Sequence, residues 1–130
     1  MSQQAIVKQT LEQQRAQNAW EVSADYDKEC INITKGLPAL IMNSGLMQVM
    51  AFTQQKGGKH EQVASHLRHW LASRFPQLIK ADFAGFMQAL MTAEPQDYQA
   101  INAEAFAWLK WLRQMASARK GEDKKGAHKQ

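Results

Sequence analysis

Residues 35–59, KGLPALIMNSGLMQVMAFTQQKGGK, carry the clearest structural signal in this 130-residue chain. From Leu37 to Phe52 the only polar side chains are Asn43, Ser44 and Gln48. Pro38 suits the first turn of a helix, and the pair Gly57–Gly58 suits the residues that end one. A helix that is apolar on nearly every side lies in the interior of a bundle, and this one is too short to span a bilayer. The segment therefore predicts a buried central helix over residues 37–56.

Further helical segments are expected on either side of the central helix. Apolar residues recur in them at spacings of three and four, which is typical of a helical stripe. Phe75–Pro76 marks a break, because the residue before a proline disfavours helical dihedrals. No segment alternates with a period of two, so no sheet is expected. The predicted fold class is all-α, a compact antiparallel bundle of about five helices over residues 3–33, 37–56, 60–74, 81–92 and 95–118.

Positive charge is concentrated in two parts of the chain. Residues 35–80 hold six basic side chains and one acidic one, a net charge of +5. Residues 119–130 hold five basic and two acidic side chains, a net charge of +3, and lack the apolar residues of a core. We expect residues 1–118 to form a single helical domain and residues 119–130 a disordered basic tail. A basic centre between acidic flanks can meet phosphate on one face and protein on others.

The residue types of catalytic and metal sites do not converge in this sequence. His66 and His69 are three residues apart on one predicted helix, but no further ligand stands at the spacing that a zinc site requires. Cys30 lies on an apolar stripe, where cysteines are normally inert. No glycine-rich phosphate loop or nucleophile motif is present. The sequence therefore predicts a protein that is not an enzyme and that binds no metal and no cofactor.

Binding is the remaining class of function, and two surfaces are candidates for it. Lysine and arginine neutralise phosphates without reading base sequence, so basic residues around the second and third predicted helices are candidates for RNA backbone contacts. These residues are Lys35, Lys56, Lys59, Arg68 and Arg74, with Lys80 close by. Trp108 and Trp111 are three residues apart in the last predicted helix, and an exposed tryptophan is a good anchor for a protein interface.

Two segments also resemble a known family. LPALIMNSGLMQVMAF (37–52), followed by Lys56, and AEAFAWLKWLRQMASA (103–118) are similar to the small α-helical subunit of the type III-B CRISPR effector, the Cmr complex. The resemblance covers about residues 10–118. Asn43–Ser44–Gly45 replaces the family's more compact Asn-Gly, and Gln114–Met115 stands where the family has an arginine and an aromatic residue.

The resemblance implies a non-catalytic scaffold of antiviral defence. Such subunits stack beside copies of themselves along an RNA-guided filament and contact the other Cmr subunits. Their basic face lies along the duplex of guide RNA and target RNA, and base pairing provides the sequence discrimination. Of the basic candidates, Lys56 alone is carried over from the family pattern. The single Cys30 suits a reducing cytoplasm, and the N-terminal residues lack the apolar core of a signal peptide, so we expect a cytoplasmic location and no membrane contact.

Two other functions remain open from the residues alone. Helices two and three with the intervening QQKGGK could form a helix-turn-helix, as in a stand-alone DNA-binding regulator, although the turn is long and glycine-rich for that motif. The other open function is that of a protein-binding adaptor, in which the basic residues are incidental to binding.

Overall fold

The computed structural model describes the backbone of residues 8–129 and the side chains of residues 8–122. Within this part of the chain all regular elements are helical. A short 3-10 turn, Ser23–Asp25, follows the first helix. The α-helices in chain order are α1 Leu11–Val22, α2 Lys28–Ser44, α3 Leu46–Lys56, α4 Gly58–Arg74, α5 Phe83–Met91 and α6 Pro95–Lys129. The predicted all-α bundle is confirmed.

The first predicted helix, over residues 3–33, is wrong as a single element. Its residues 3–7 lie outside the described part of the chain, and α1 begins after Thr10, which forms a reciprocal capping box with Gln13. The chain leaves the helix through the 3-10 turn and an extended Tyr26. It re-enters a helix at Asp27, whose side chain accepts a hydrogen bond of 2.9 Å from the backbone N–H of Cys30. The caps at Thr10 and Asp27 therefore begin two separate helices within the predicted segment.

The predicted central helix over residues 37–56 is also divided. Gly45 has a φ of +86°, which residues with a side chain rarely adopt, and α2 ends and α3 begins on either side of it. Pro38 lies inside α2 and not in its first turn, because α2 starts well before it. Gly57, with a φ of +67°, separates α3 from α4, and Gly58, with a φ of +52°, is the first residue of α4, so the predicted helix end is confirmed.

The interior of the bundle is built mainly around α4 and α6. The fully buried side chains of these two helices include Val63, Leu67, Leu71, Ile101, Trp108, Leu109 and Leu112. The indole rings of Trp70 and Trp108 are stacked, with 6.4 Å between their centroids. By contrast, Leu40, Met42 and Phe52 of the predicted central segment are exposed. Part of the apolar surface of this segment is therefore exposed to solvent.

A buried carboxylate connects three helices at the centre. Glu104 of α6 accepts hydrogen bonds of 2.8 and 2.7 Å from the guanidinium of Arg15 and one of 2.9 Å from the indole N–H of Trp70. Burial by itself would raise the pKa of Glu104, but the hydrogen bonds from Arg15 and Trp70 hold that pKa below its ordinary value. These hydrogen bonds orient α1 and α4 on α6.

The later helix boundaries follow the prediction up to the C-terminus. Phe75 ends α4 in extended conformation before Pro76, and Pro95 opens α6. The helix α6 continues through residues 119–129, where the sequence predicted a disordered tail. The domain boundary at residue 118 and disorder of the tail in solution stay predictions. None of the helices in the described residues is long and apolar enough to cross a membrane.

Candidate functional site

The histidines and the cysteine make local contacts instead of converging. His66 Nδ1 lies 2.7 Å from the Tyr26 hydroxyl, and the two rings are stacked. Burial lowers the pKa of His66, and the nearby His69 lowers it further. The thiol of Cys30 is buried, which raises its pKa, and Sγ lies 3.7 Å from Oε1 of Gln62. Among the described residues no group of three or more His, Cys, Asp or Glu could hold a metal ion.

Two of the candidate lysines lie on either side of the α3–α4 junction. Lys56 is the exposed last residue of α3, and Lys59 lies in the first turn of α4. Gly57 at the N-terminus of α4 provides no side-chain cap for the first N–H groups of that helix. A Cβ atom added at Gly57 or Gly58 would meet nothing within 4 Å, so the backbone here is open to approach. Uncapped N–H groups between two lysines form a surface that is suited to a phosphate group.

Lys59 also connects this junction to α2. Its ammonium lies 3.3 Å from Oδ2 of Asp27, and both side chains are largely exposed. The hydrogen bond to Asp27 and the attraction between the charges raise the pKa of Lys59. Exposed ion pairs of this kind are weak and screened by salt. A phosphate group can therefore compete with Asp27 for this lysine.

Lys35 lies on the exposed face of α2, and a groove of about 260 Å³ separates α2 from the start of α4. Lys35 does not line this groove, which is formed by His60 of α4 and by one face of α2 with Glu29, Asn32, Ile33, Gly36, Leu37 and Leu40. We define the junction surface as Lys56 and Lys59 together with the backbone of Gly57 and Gly58. Lys35 stays a predicted RNA contact outside this surface.

Arg68 does not belong to the junction surface, contrary to the expectation from sequence. It is only 3% exposed, and its guanidinium donates hydrogen bonds to both carboxylate oxygens of Glu61 and one of 2.7 Å to the carbonyl of Ala81. All of its polar groups thus face protein. The predicted RNA contact of Arg68 is corrected to a structural role, in which it ties the segment before α5 to α4.

Arg74 is exposed but distant from the lysines. It follows Lys59 by 15 residues on α4, which corresponds to about 22 Å along the helix. Its guanidinium lies 6.0 Å from the ring centroid of Trp70 and 3.4 Å from Oε1 of Gln14 on α1. The structure therefore brings two of the five basic candidates, Lys56 and Lys59, into one region and leaves Arg74 at the other end of α4.

The two tryptophans proposed for a protein interface differ in exposure. Trp108 is fully buried, and its indole N–H donates a hydrogen bond of 2.9 Å to Oδ1 of Asn18. The predicted interface role of Trp108 is therefore wrong. Trp111 is half-buried and lines a shallow cavity of about 270 Å³ beside Thr10 and Ala16 of α1. Trp111 stays a candidate for a protein contact.

The sequence reasoning missed a set of exposed apolar side chains. Trp20, Leu40, Met42, Phe52, Ile79 and Met91 are between 39% and 86% exposed. Leu40, Met42 and Phe52 could have been identified from the sequence, because the segment around Gly45 is apolar on every face. Its neighbours in the bundle cover only some of these faces.

Comparison with known proteins assigns the fold to a family. The family model described as CRISPR-associated protein (Cas_Cmr5) matches residues 11–119. A solved structure of a CRISPR-associated Cmr5 family protein from Thermus thermophilus is 25% identical, with a TM-score of 0.67, and the alignment covers 85% of this chain and 97% of that one. No curated protein sequence matches the chain. Because the family model spans most of the sequence, the chain belongs to the Cmr5 family, the small helical subunits of Cmr-type CRISPR effectors.

Proposed function

We propose that this protein is a non-catalytic scaffold subunit of a type III-B Cmr complex, acting in the cytoplasm in antiviral defence. Copies stack along the RNA-guided filament, contact other Cmr subunits and support the duplex of guide RNA and target RNA. The junction surface makes the RNA contacts, and they go to the phosphate backbone. Base pairing supplies the sequence discrimination, as in RNA-guided effectors generally.

The observation that carries the RNA contact is the open α3–α4 junction. Lys56 and Lys59 stand on either side of two glycines whose backbone is accessible, at a helix N-terminus without a side-chain cap. Ammonium groups and a positive helix end both attract phosphate and neither reads a base. A surface of this kind supports binding to any guide sequence, which is what a scaffold of an RNA-guided complex requires.

The same junction argues against a helix-turn-helix regulator. Gly57 is the only residue between α3 and α4, whereas the turn of that motif has about three or four residues. The midpoint of α3 also holds buried apolar residues where a positioning helix would need polar contacts to DNA. Membership in the Cmr5 family favours the effector subunit.

The proposal predicts that Lys56→Gln together with Lys59→Gln weakens RNA binding by the reconstituted complex. Each lost phosphate contact reduces the slope of log K against log salt by about 0.7 to 0.9. We expect the affinity to fall on the order of tenfold at physiological salt and the slope to fall by about 1.4 to 1.8. Filter binding over a series of KCl concentrations measures both.

Lys80→Gln together with Lys110→Gln is the matched control, since both lysines are exposed and lie outside the junction surface. The control should leave the affinity and the slope close to those of the unmodified complex. Normal assembly of the Lys56/Lys59 variant with an unchanged affinity and slope would refute the RNA contact at this surface.

A further inference from the structure

One lysine of the junction surface has a negatively charged partner in the unbound protein. The ammonium of Lys59 lies 3.3 Å from Oδ2 of Asp27, at the N-terminus of α2. The side chains of Lys59 and Asp27 are 42% and 50% exposed, so a phosphate group can reach this lysine from solvent. Lys56, by contrast, forms no ion pair with any other side chain in the described part of the chain. The carboxylate of Asp27 is therefore placed to compete with RNA for Lys59 and not for Lys56.

Buried contacts on both sides of Asp27 hold it against α4. The residue before it, Tyr26, is 8% exposed, and the tyrosine hydroxyl lies 2.7 Å from Nδ1 of His66. Cys30, three residues after Asp27, is fully buried, and its Sγ lies 3.7 Å from Oε1 of Gln62. Both partners lie on the face of α4 that carries the lysine of the ion pair, since they follow that lysine by three and seven residues. The packing of α2 on α4 thus keeps the carboxylate beside the lysine.

The two carboxylate oxygens of Asp27 have separate partners. Oδ1 accepts a hydrogen bond of 2.9 Å from the backbone N–H of Cys30 and so caps α2, whereas Oδ2 is the oxygen close to Lys59. The hydrogen bond from Cys30 lowers the pKa of Asp27 most, and the one from Lys59 lowers it further, so the carboxylate is ionised at neutral pH. Because the cap uses Oδ1, Lys59 can leave Asp27 without loss of the cap of α2.

We infer that Asp27 is an internal competitor of RNA, which pairs with Lys59 in the unbound protein and is displaced when Lys59 binds a phosphate group. The inference rests on the proposed function and adds a regulatory contact to the same surface. Exposed ion pairs are weak, so phosphate displaces the carboxylate at a modest cost in affinity. The displaced carboxylate stays close to the bound phosphate, and like charges repel. Asp27 thus lowers the affinity of each copy for RNA without favouring any base sequence.

The variant Asp27→Asn tests the inference, because asparagine caps a helix as well as aspartate does but carries no charge. In the reconstituted complex we expect this variant to bind target RNA about two- to fivefold more tightly at low salt, as for the loss of an exposed ion pair. The gain should shrink as the KCl concentration rises, because salt screens the attraction that the variant removes. Asp27→Ser, another uncharged cap, should give the same gain. Filter binding measures the affinity, and incorporation into the complex shows that each variant folds.

Two backgrounds separate competition for Lys59 from general repulsion between Asp27 and RNA. In a complex that carries Lys59→Gln, Asp27 has no lysine to hold, so Asp27→Asn should give a clearly smaller gain there. In a complex that carries Lys56→Gln, the same change should keep its full gain, because Lys56 is not the partner of Asp27. Asp25→Asn is the matched control, since it removes an exposed carboxylate two residues earlier, and it should leave the affinity close to that of the unmodified complex.

The other outcomes separate the inference from the RNA contact on which it rests. Equal gains in the Lys59→Gln and Lys56→Gln backgrounds, or an equal gain for Asp25→Asn, would indicate general repulsion and overturn the inference. An unchanged affinity for Asp27→Asn, when Lys59→Gln weakens binding, would also overturn it while leaving the RNA contact of the junction surface in place. If Lys56→Gln together with Lys59→Gln leaves RNA binding unchanged, the RNA contact and the inference fail together.

Discussion

Replacing Arg68 distinguishes a structural arginine from one that binds RNA. In Arg68→Gln, the shorter amide cannot reach Glu61 and the carbonyl of Ala81 at the same time. The carbonyl of Ala81 then loses its hydrogen bond of 2.7 Å, and Glu61 loses its ion-pair partner. The helix α4 and the segment before α5 lose the side chain that connects them.

The expected loss of stability follows from the burial of the three groups. Removing one partner of a fully buried ion pair costs about 3–5 kcal/mol. The side chain of Glu61 is 30% exposed, so water can partly solvate the carboxylate that is left behind. Ala81 is only partly buried, so the loss of the hydrogen bond to its carbonyl adds about 1 kcal/mol, the low end of the usual penalty. With the ion-pair loss discounted for that exposure, we expect the free energy of unfolding to fall by about 2–3 kcal/mol.

Thermal unfolding followed by circular dichroism at the helix band measures this loss. The entropy of unfolding is about 2.1 cal/mol/K per residue, so for this chain the midpoint should fall by about 7–11 °C. Arg74→Gln is the matched control because Arg74 is exposed, and surface changes stay within about 0.5 kcal/mol, or roughly 2 °C here. An unchanged midpoint for Arg68→Gln, combined with a smaller salt dependence of RNA binding, would refute the structural role of Arg68.

Two further predictions concern the stability of the bundle. Gly57→Ala should destabilise the protein by about 1 kcal/mol because φ is +67° at this position. Gly36→Ala should stabilise it by about 0.5–1 kcal/mol, because Gly36 lies inside α2 and an added Cβ meets nothing there. Urea unfolding measures both changes in the free energy of unfolding, and changes of the same sign would contradict the helix junction described. The pKa of His66 is lowered in the folded protein, so the unfolded chain binds the proton more readily than the folded one. Stability should therefore be retained above the ordinary pKa of 6.5 and fall as the pH drops below it. His66→Gln should reduce this loss in unfolding curves between about pH 7 and pH 5, and a pH dependence equal to that of the unmodified protein would contradict it.

Local chemistry made much of the helical architecture predictable. Pro76 and Pro95 act on their neighbours in the chain, so the end of α4 and the start of α6 were placed correctly. Gly57 and Gly58 likewise indicated the end of α3. The missed breaks at Asp27 and Gly45 have local causes too, but each lies inside a continuous apolar pattern that favoured one long helix. The prediction gave more weight to the apolar periodicity than to these local signals. In the structure the helices begin and end at Asp27 and Gly45.

The candidate site was less predictable because burial depends on distant residues. Arg68 is covered by Glu61, about two turns earlier on α4, and by Ala81 in another segment. Trp108 is buried, and its N–H bonds to Asn18, 90 residues away in the chain. Both residue types are normally counted as interface formers, and only the tertiary contacts assign them to the interior. Lys56 and Lys59 remain accessible because they stand at helix ends, where a side chain has few neighbours, and their RNA contact stays a prediction.

The most direct test of the central claim is the composition of the particle that contains this protein in its host. The protein would be tagged at its C-terminus and purified gently, and the sized fraction would be analysed for its subunits and its RNA. The account predicts co-elution with the other Cmr subunits and with short guides derived from CRISPR repeats. Recovery of the protein as a free monomer or dimer without RNA, while the other subunits are demonstrably expressed, would contradict it.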